Sequence, residues 1–366
     1  MQSAPSDAPR SRLRTKLAIL AASTLICAVL GYLAYRHFSR PKLVESVYVD
    51  PTNTYQIVFY NREGNRLSTQ KGGLAAVLDP FTFYANYPRQ NTPHFKIDEN
   101  GLRGGIADDS KPKVFLVGGS AAFGYGLESD DQTITAWLNR EVPTHTFVNA
   151  AVVGYVSGQE CVQMITRLDR FEPVGYLLLD GWNDMNDSIV KRPHLGVNNE
   201  FEAFGRRLAE YNIVSDKVGN ARESFAGGRA EAVEDNDVAG VLAVYLANLE
   251  RMSAWAGMRG ASFCVMFQPL VADREHPTEV EQKIAYNRQL HSKYRGFIAD
   301  AIEFCAEHGI RCCDVARRTE FQSSTETLFM DAVHPTAAGQ AVLAAIAKTE
   351  FLGAKPPGSK DGAKKH

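Results

Sequence analysis

The chain has 366 residues, 45% of them hydrophobic and 22% charged, an ordinary globular composition that excludes a collagen-like or wholly disordered protein. Forty Lys and Arg stand against 42 Asp and Glu, a formal net charge of −2, so no basic excess marks a nucleic-acid-binding protein. Six cysteines at this length exclude a disulfide scaffold. Length alone allows about two domains, or one large domain with appendages.

Residues 1–16 are polar and basic, without hydrophobic periodicity. Residues 17–35 then carry no charge at all. Nineteen such residues just cross a hydrocarbon core of about 30 Å. A buried soluble helix would show a polar face, and a cleaved signal peptide would have a shorter apolar run and a clear cleavage site. The reading is one retained transmembrane anchor. Arg10, Arg12, Arg14 and Lys16 precede it, and Arg36, Arg40 and Lys42 follow, a four-to-three bias that puts the rest of the chain outside the cytoplasm. Residues 351–366 read as a disordered tail rich in Gly, Pro and Lys.

Residues 36–112 form a lead-in with short β strands, one of them at 55–60, before a turn at Asn61–Asn65. From 113 to 350 the rhythm changes. Short apolar runs at 114–117, 146–149, 176–179, 262–267 and 310–315 predict five strands. Asp130 is placed to cap a helix through Trp137, and Ser157 with Glu160 has the form of a capping box. Helical patterns fill 237–258, 278–307 and 336–350. Such alternation predicts an α/β domain in three layers, with a central parallel sheet of about five strands. The interval 187–236 has weak patterning and reads as an insertion that shapes access to a site.

Ligands bind at the carboxyl ends of strands in open parallel sheets. Four candidates fall there: Ser120 after the first strand, Gly154 after the second, Asn183 after the third, and Asp331 with His334 before the last helix. Each has a bland reading as a cap, a turn glycine, an Asx-turn or a helix-start residue. Together they supply acyl transfer. Ser120 is the nucleophile, His334 its base and Asp331 the group that holds the imidazole tautomer. The backbone N–H groups of Ser120 and Gly154 and the amide of Asn183 are the oxyanion donors.

Over residues 113–350, apart from the insertion, the sequence resembles the SGNH (GDSL-type) hydrolase superfamily, through Val117-Gly118-Gly119-Ser120, Asn149 to Gly154, Gly181-Trp182-Asn183-Asp184, and Asp331 to Pro335. The resemblance implies a flavodoxin-like fold, ester hydrolysis through a Ser-His-Asp triad and no cofactor. Gly119 stands where many members carry the Asp of Gly-Asp-Ser. Gln268-Pro269 and Asn100 to Gly104 resemble pieces of anchored members.

Rival motifs fail. Ala122 breaks a G-x-S-x-G elbow, and Tyr125 stands where a phosphate-binding loop needs lysine. No H-E-x-x-H or C-x-x-C is present, so no metal is expected. Cys27 lies in the anchor. Cys305 is placed to pair with Cys312 or Cys313 in an oxidising compartment; otherwise the remaining cysteines, with Cys161 and Cys264, are free buried thiols. The expected protein is a membrane-anchored serine esterase or deacylase acting on an ester, such as an O-acetyl group on a glycan. The alternatives are a glycan O-acyltransferase with the same triad, or a catalytically silent binding module of this type.

Overall fold

The computed structural model describes residues 23–24, 27–32, 58–60, 74–190 and 235–352. Residues 353–366 of the expected tail, 191–234 of the expected insertion and most of the expected anchor lie outside these residues, while Phe351 and Leu352, expected in the tail, end the last helix, where Phe351 packs against the apolar core. Within the stretch expected to be an anchor, 23–24 and 27–32 are helical. No helix among the described residues is long and apolar enough to cross a membrane.

Five strands form the central sheet: β6 (Lys113–Gly118), β7 (Thr146–Asn149), β8 (Gly175–Asp180), β9 (Ser262–Phe267) and β10 (Arg311–Asp314). Their order is β10-β9-β8-β6-β7, and every pair is parallel. The runs are apolar throughout because both faces are covered. Val114, Leu116, Leu177 and Leu179 pack on one side, and Phe115, Val117, Tyr176 and Leu178 on the other. Helices α2 (Ile134–Glu141) and α8 (Ala337–Leu352) cover the first side. Helices α3 (Ser157–Gln163), α5 (Asp235–Met258) and α6 (Arg288–Glu307) cover the second. Between β6 and α2 lies α1 (Ser120–Phe123); α4 (Trp182–Val190) follows β8, and α7 (Thr319–Gln322) follows β10. The chain leaves β6 toward β7 on one side and returns to β8 on the other. The crevice outside the ends of β6 and β8 is therefore the topological switch point, where such sheets bind ligands.

The lead-in is part of the same body. Its strands are β1 (Val58–Tyr60), β2 (Ala75–Asp79), β3 (Phe83–Asn86), β4 (Gln90–Asn91) and β5 (Lys96–Ile97). Leu74, Ala75, Phe95 and Ile97 join the apolar core under the first side of the sheet.

Three local expectations are corrected. Helix α2 is capped by Thr133, whose hydroxyl accepts from Ala136 N; Asp130 instead opens a 3-10 turn and binds Arg103. Helix α3 begins at Ser157, and Gln159 Oε1 accepts from Val156 N, because the Ser157 hydroxyl is drawn to Asp184 and Glu160 turns into the core. The pattern at 278–307 yields a helix only from Arg288; residues before it are a 3-10 turn and extended chain tied to a distant loop. Cys305 pairs with Cys312, while Cys161, Cys264 and Cys313 are free and buried.

Candidate active site

The end of β6 delivers the chain into Gly119 and Ser120, the first residue of α1. This short turn is held by three side chains. Asn149 Nδ2 donates to the carbonyls of Ala122 and Phe123 at 3.1 and 3.2 Å. Gln340 Nε2 donates to Ala121 O at 2.8 Å. Arg103, buried, donates through Nη1 to Phe123 O and Gly124 O at 3.0 and 2.7 Å and through Nε to Asp130 at 2.8 Å. The Arg103 guanidinium also lies over the Phe123 ring at 4.7 Å.

Ser120 Oγ lies 2.9 Å from His334 Nε2, and His334 Nδ1 lies 2.7 Å from Asp331 Oδ2. A carboxylate only accepts, so Nδ1 carries the proton and Nε2 accepts from the serine hydroxyl. The Asp331 side chain is 52% exposed, that of His334 16%. Partial burial pushes the Asp331 carboxyl up, but the hydrogen bond and charge of His334, with the N–H groups of Val333 and His334, outweigh it and hold the group below the usual carboxylate range. Those N–H groups reach Oδ1 at 2.9 and 2.8 Å, so one oxygen organises the loop and the other orients the imidazole. Tyr125 flanks the ring, with centroids 4.8 Å apart.

Asn183 stands in the first turn of α4, and its Nδ2 donates to Tyr155 O at 2.8 Å. A Cβ built on Gly119 would meet that Nδ2 at 2.3 Å, so the amide lies directly against the backbone beside the serine. Gly119 is thus the residue that admits Asn183 to the site. Gly154 has φ +81°, a conformation other residues rarely hold. Its loop is supported by the lead-in: Tyr84 Oη donates to Val153 O at 2.9 Å, and Asn86 Nδ2 to Ala151 O at 3.1 Å. The structure therefore joins Ser120, His334 and Asp331 in one relay and sets Asn183 beside the serine backbone.

Under Asn183 lies a carboxyl cluster that sequence reading did not reveal as such. Glu160, Asp180 and Asp184 are buried. Asp184 accepts from Ser157 N and Oγ. Burial, and the neighbouring Asp180 and Asp184 charges, push Glu160 far up; burial pushes Asp180 up to about 6, against its hydrogen bond with Glu160. Both Glu160 oxygens and Asp180 Oδ2 are buried without a hydrogen-bond donor from the surrounding protein, a setting that favours the neutral carboxyl. Arg103, Asn149 and Gln268 were visible in the sequence only as motif pieces; their work at long range was not. Among the described residues no group of three or more His, Cys, Asp or Glu is arranged to hold a metal ion.

No family profile matches the chain, and no curated protein is similar to it at a significant level. Solved structures are similar to it. A lipase/acylhydrolase from Enterococcus faecalis matches at 14% identity and a TM-score of 0.40, over 67% of this chain and 98% of that one. A catalytic mutant of an acetylxylan esterase from Geobacillus stearothermophilus matches at 13% identity and 0.40, over 66% and 94%. A psychrotrophic esterase from Pseudoalteromonas sp. matches at 11% identity and 0.38, over 66% and 98%. Likenesses this distant do not bear on what the chain does.

Proposed function

We propose that the chain is a serine hydrolase of SGNH type that cleaves carboxylic esters. The observation that carries this reading is the relay from Ser120 Oγ through His334 to Asp331, at 2.9 and 2.7 Å. Ser120 attacks the acyl carbonyl as its proton passes to His334 Nε2, and Asp331 stabilises the imidazolium. The tetrahedral oxyanion accepts from the N–H groups of Ser120 and Gly154 and from the second N–H of the Asn183 amide. Collapse expels the alcohol, which takes the proton from His334. Water, deprotonated by the same imidazole, then attacks the acyl-serine and releases the acid. An O-acetylated glycan is the natural substrate class to try first. The test is fluorophosphonate labelling with adduct mapping. Ser120 should carry the adduct and Ser120→Ala none; an adduct elsewhere, or none on folded protein, refutes the assignment.

The proposal extends to place: an anchor at 17–35 with the catalytic body outside the cytoplasm. The uncharged run and the flanking basic bias support it, as does the Cys305–Cys312 disulfide, since such bonds persist in oxidising compartments. Protease added to cells with a permeabilised outer envelope should remove the region after Arg40. Protection equal to that of a cytoplasmic marker refutes the orientation.

A further inference from the structure

We infer that Glu281 is a positioning residue that holds the Asp331–His334 pair against Ser120 by anchoring the stem of the loop that carries it; the inference rests on the esterase reading above. That loop is a tight hairpin. Phe329 and Pro335 form an antiparallel bridge, Met330 N donates to His334 O at 3.0 Å, and Thr336 N donates to Leu328 O at 2.8 Å. Asp331 and His334 sit at the tip, so their placement follows the stem. Glu281, some 50 residues upstream, grips one arm of it. Its Oε1 accepts from Leu328 N at 2.7 Å and, more weakly, from Phe329 N at 3.3 Å. Its Oε2 accepts from Thr278 N at 2.9 Å, closing the turn that presents the carboxylate.

The grip is dry. The side chains of Glu281 and Arg274 have no exposure, and Arg274 Nε lies 3.7 Å from Glu281 Oε2, a charge contact beyond hydrogen-bond length. The Arg274 fork binds Phe321 O, reaches Ser324 O at 2.6 Å and His276 O at 3.5 Å, and so fixes the chain that leads into the hairpin. The other face of the tip is held by β9's successor segment: Val271 N donates to Ala332 O at 3.1 Å and Gln268 Nε2 to Val333 O at 3.0 Å. Glu281 touches no reacting atom. It acts through the hairpin, because a buried carboxylate facing three N–H groups and a guanidinium cannot be replaced by an amide without turning a donor toward a donor.

The test is Glu281→Gln in the full chain, alone and on an Asp331→Asn background, with two readouts below the melting temperature. The first is the rate of Ser120 labelling by a fluorophosphonate, with kcat and KM for p-nitrophenyl acetate. The expected result is labelling and kcat at least tenfold slower with KM within twofold, and no further loss when Asp331 is already Asn. Wild-type rates in Glu281→Gln, or the same factor lost on both backgrounds, overturn the inference. The second readout is amide exchange over 328–336, which should speed up at least tenfold while β8 amides stay unchanged. If wild-type protein does not label at all, the esterase reading fails and exchange alone decides: unchanged exchange overturns the anchoring. If Glu281→Gln does not fold, Arg274→Lys carries both readouts, with a smaller loss expected and none overturning the idea.

Discussion

Replacing Gly119 with alanine should remove most of the activity while leaving the fold intact. The added Cβ would stand 2.3 Å from Asn183 Nδ2, and ordinary contact begins at 3.4 Å, so the amide must retreat by about 1 Å. The 2.8 Å bond to Tyr155 O then breaks, and the second N–H no longer points beside Ser120. One oxyanion donor is worth about 10²–10³ in kcat, or roughly 2.7–4 kcal/mol. Stability responds differently. The atom displaced is the end of a side chain, and the lost neutral hydrogen bond is worth only about 0.5–1.5 kcal/mol. Gly119 has φ −85° and ψ −148°, at the margin of the extended region, so alanine adds mild backbone strain that offsets the about 0.4–1 kcal/mol returned by losing glycine's freedom in the unfolded chain. The melting temperature should therefore move by no more than about 2–4 °C. Turnover of p-nitrophenyl acetate and a thermal melt measure the two effects side by side, and KM should hardly change. A kcat within threefold of wild type refutes the reasoning. So does a Gly119→Ala, Asn183→Ala double variant that is 10² slower than Asn183→Ala alone, because both changes should remove the same donor. An aspartate at this position carries the same Cβ, so the Gly-Asp-Ser form of the block cannot be grafted here without moving Asn183.

Asp331→Asn should lower kcat by about 10⁴, through loss of the tautomer that leaves Nε2 free to accept, with the fold unchanged by circular dichroism. Glu160 and Asp180 both titrate above their ordinary values, so the folded state holds more protons than the unfolded one, and their contribution is fully present below about pH 4 and lost as pH rises through about 6 and beyond. Glu160→Gln should flatten that fall and melt above wild type at pH 8; equal slopes in thermal melts of the two proteins from pH 4 to 8 would refute the reading. Cys305→Ser should cost about 2 kcal/mol, since the disulfide closes a short loop of sequence separation 7, and reductant should destabilise wild type but not the variant.

The sheet was legible because a parallel strand buried on both faces is a run of apolar residues, and 114–117, 146–149 and 176–179 lie within β6, β7 and β8. The candidate site was legible for a related reason: chemistry at a switch point sits in the residues just after such runs, where Ser120 and Asn183 were found. Caps were read less well. Asp130 and Ser157 have the right side chains for capping, but Arg103 and Asp184 compete for them, and neither partner is near in sequence. The helix expected from 278 begins ten residues late for the same reason, because Glu281 bonds across 47 positions to Leu328. Local pattern does not record a partner that only folding brings close.

Arg103 and Asn149, which hold the turn at Ser120 with their side chains, also meet through their backbones. Arg103 N donates to Asn149 O at 3.0 Å, so the lead-in bridges the outer edge of β7, the terminal strand of the sheet, at its last residue. An uncovered terminal strand is a template for pairing with another chain. A fragment cut to begin at the first strand of the sheet, near residue 113, would lose this cover together with the guanidinium that holds the Phe123 and Gly124 carbonyls. Such a fragment should self-associate through β7 more than one that begins before residue 74 and keeps the bridge, a difference that size-exclusion chromatography measures.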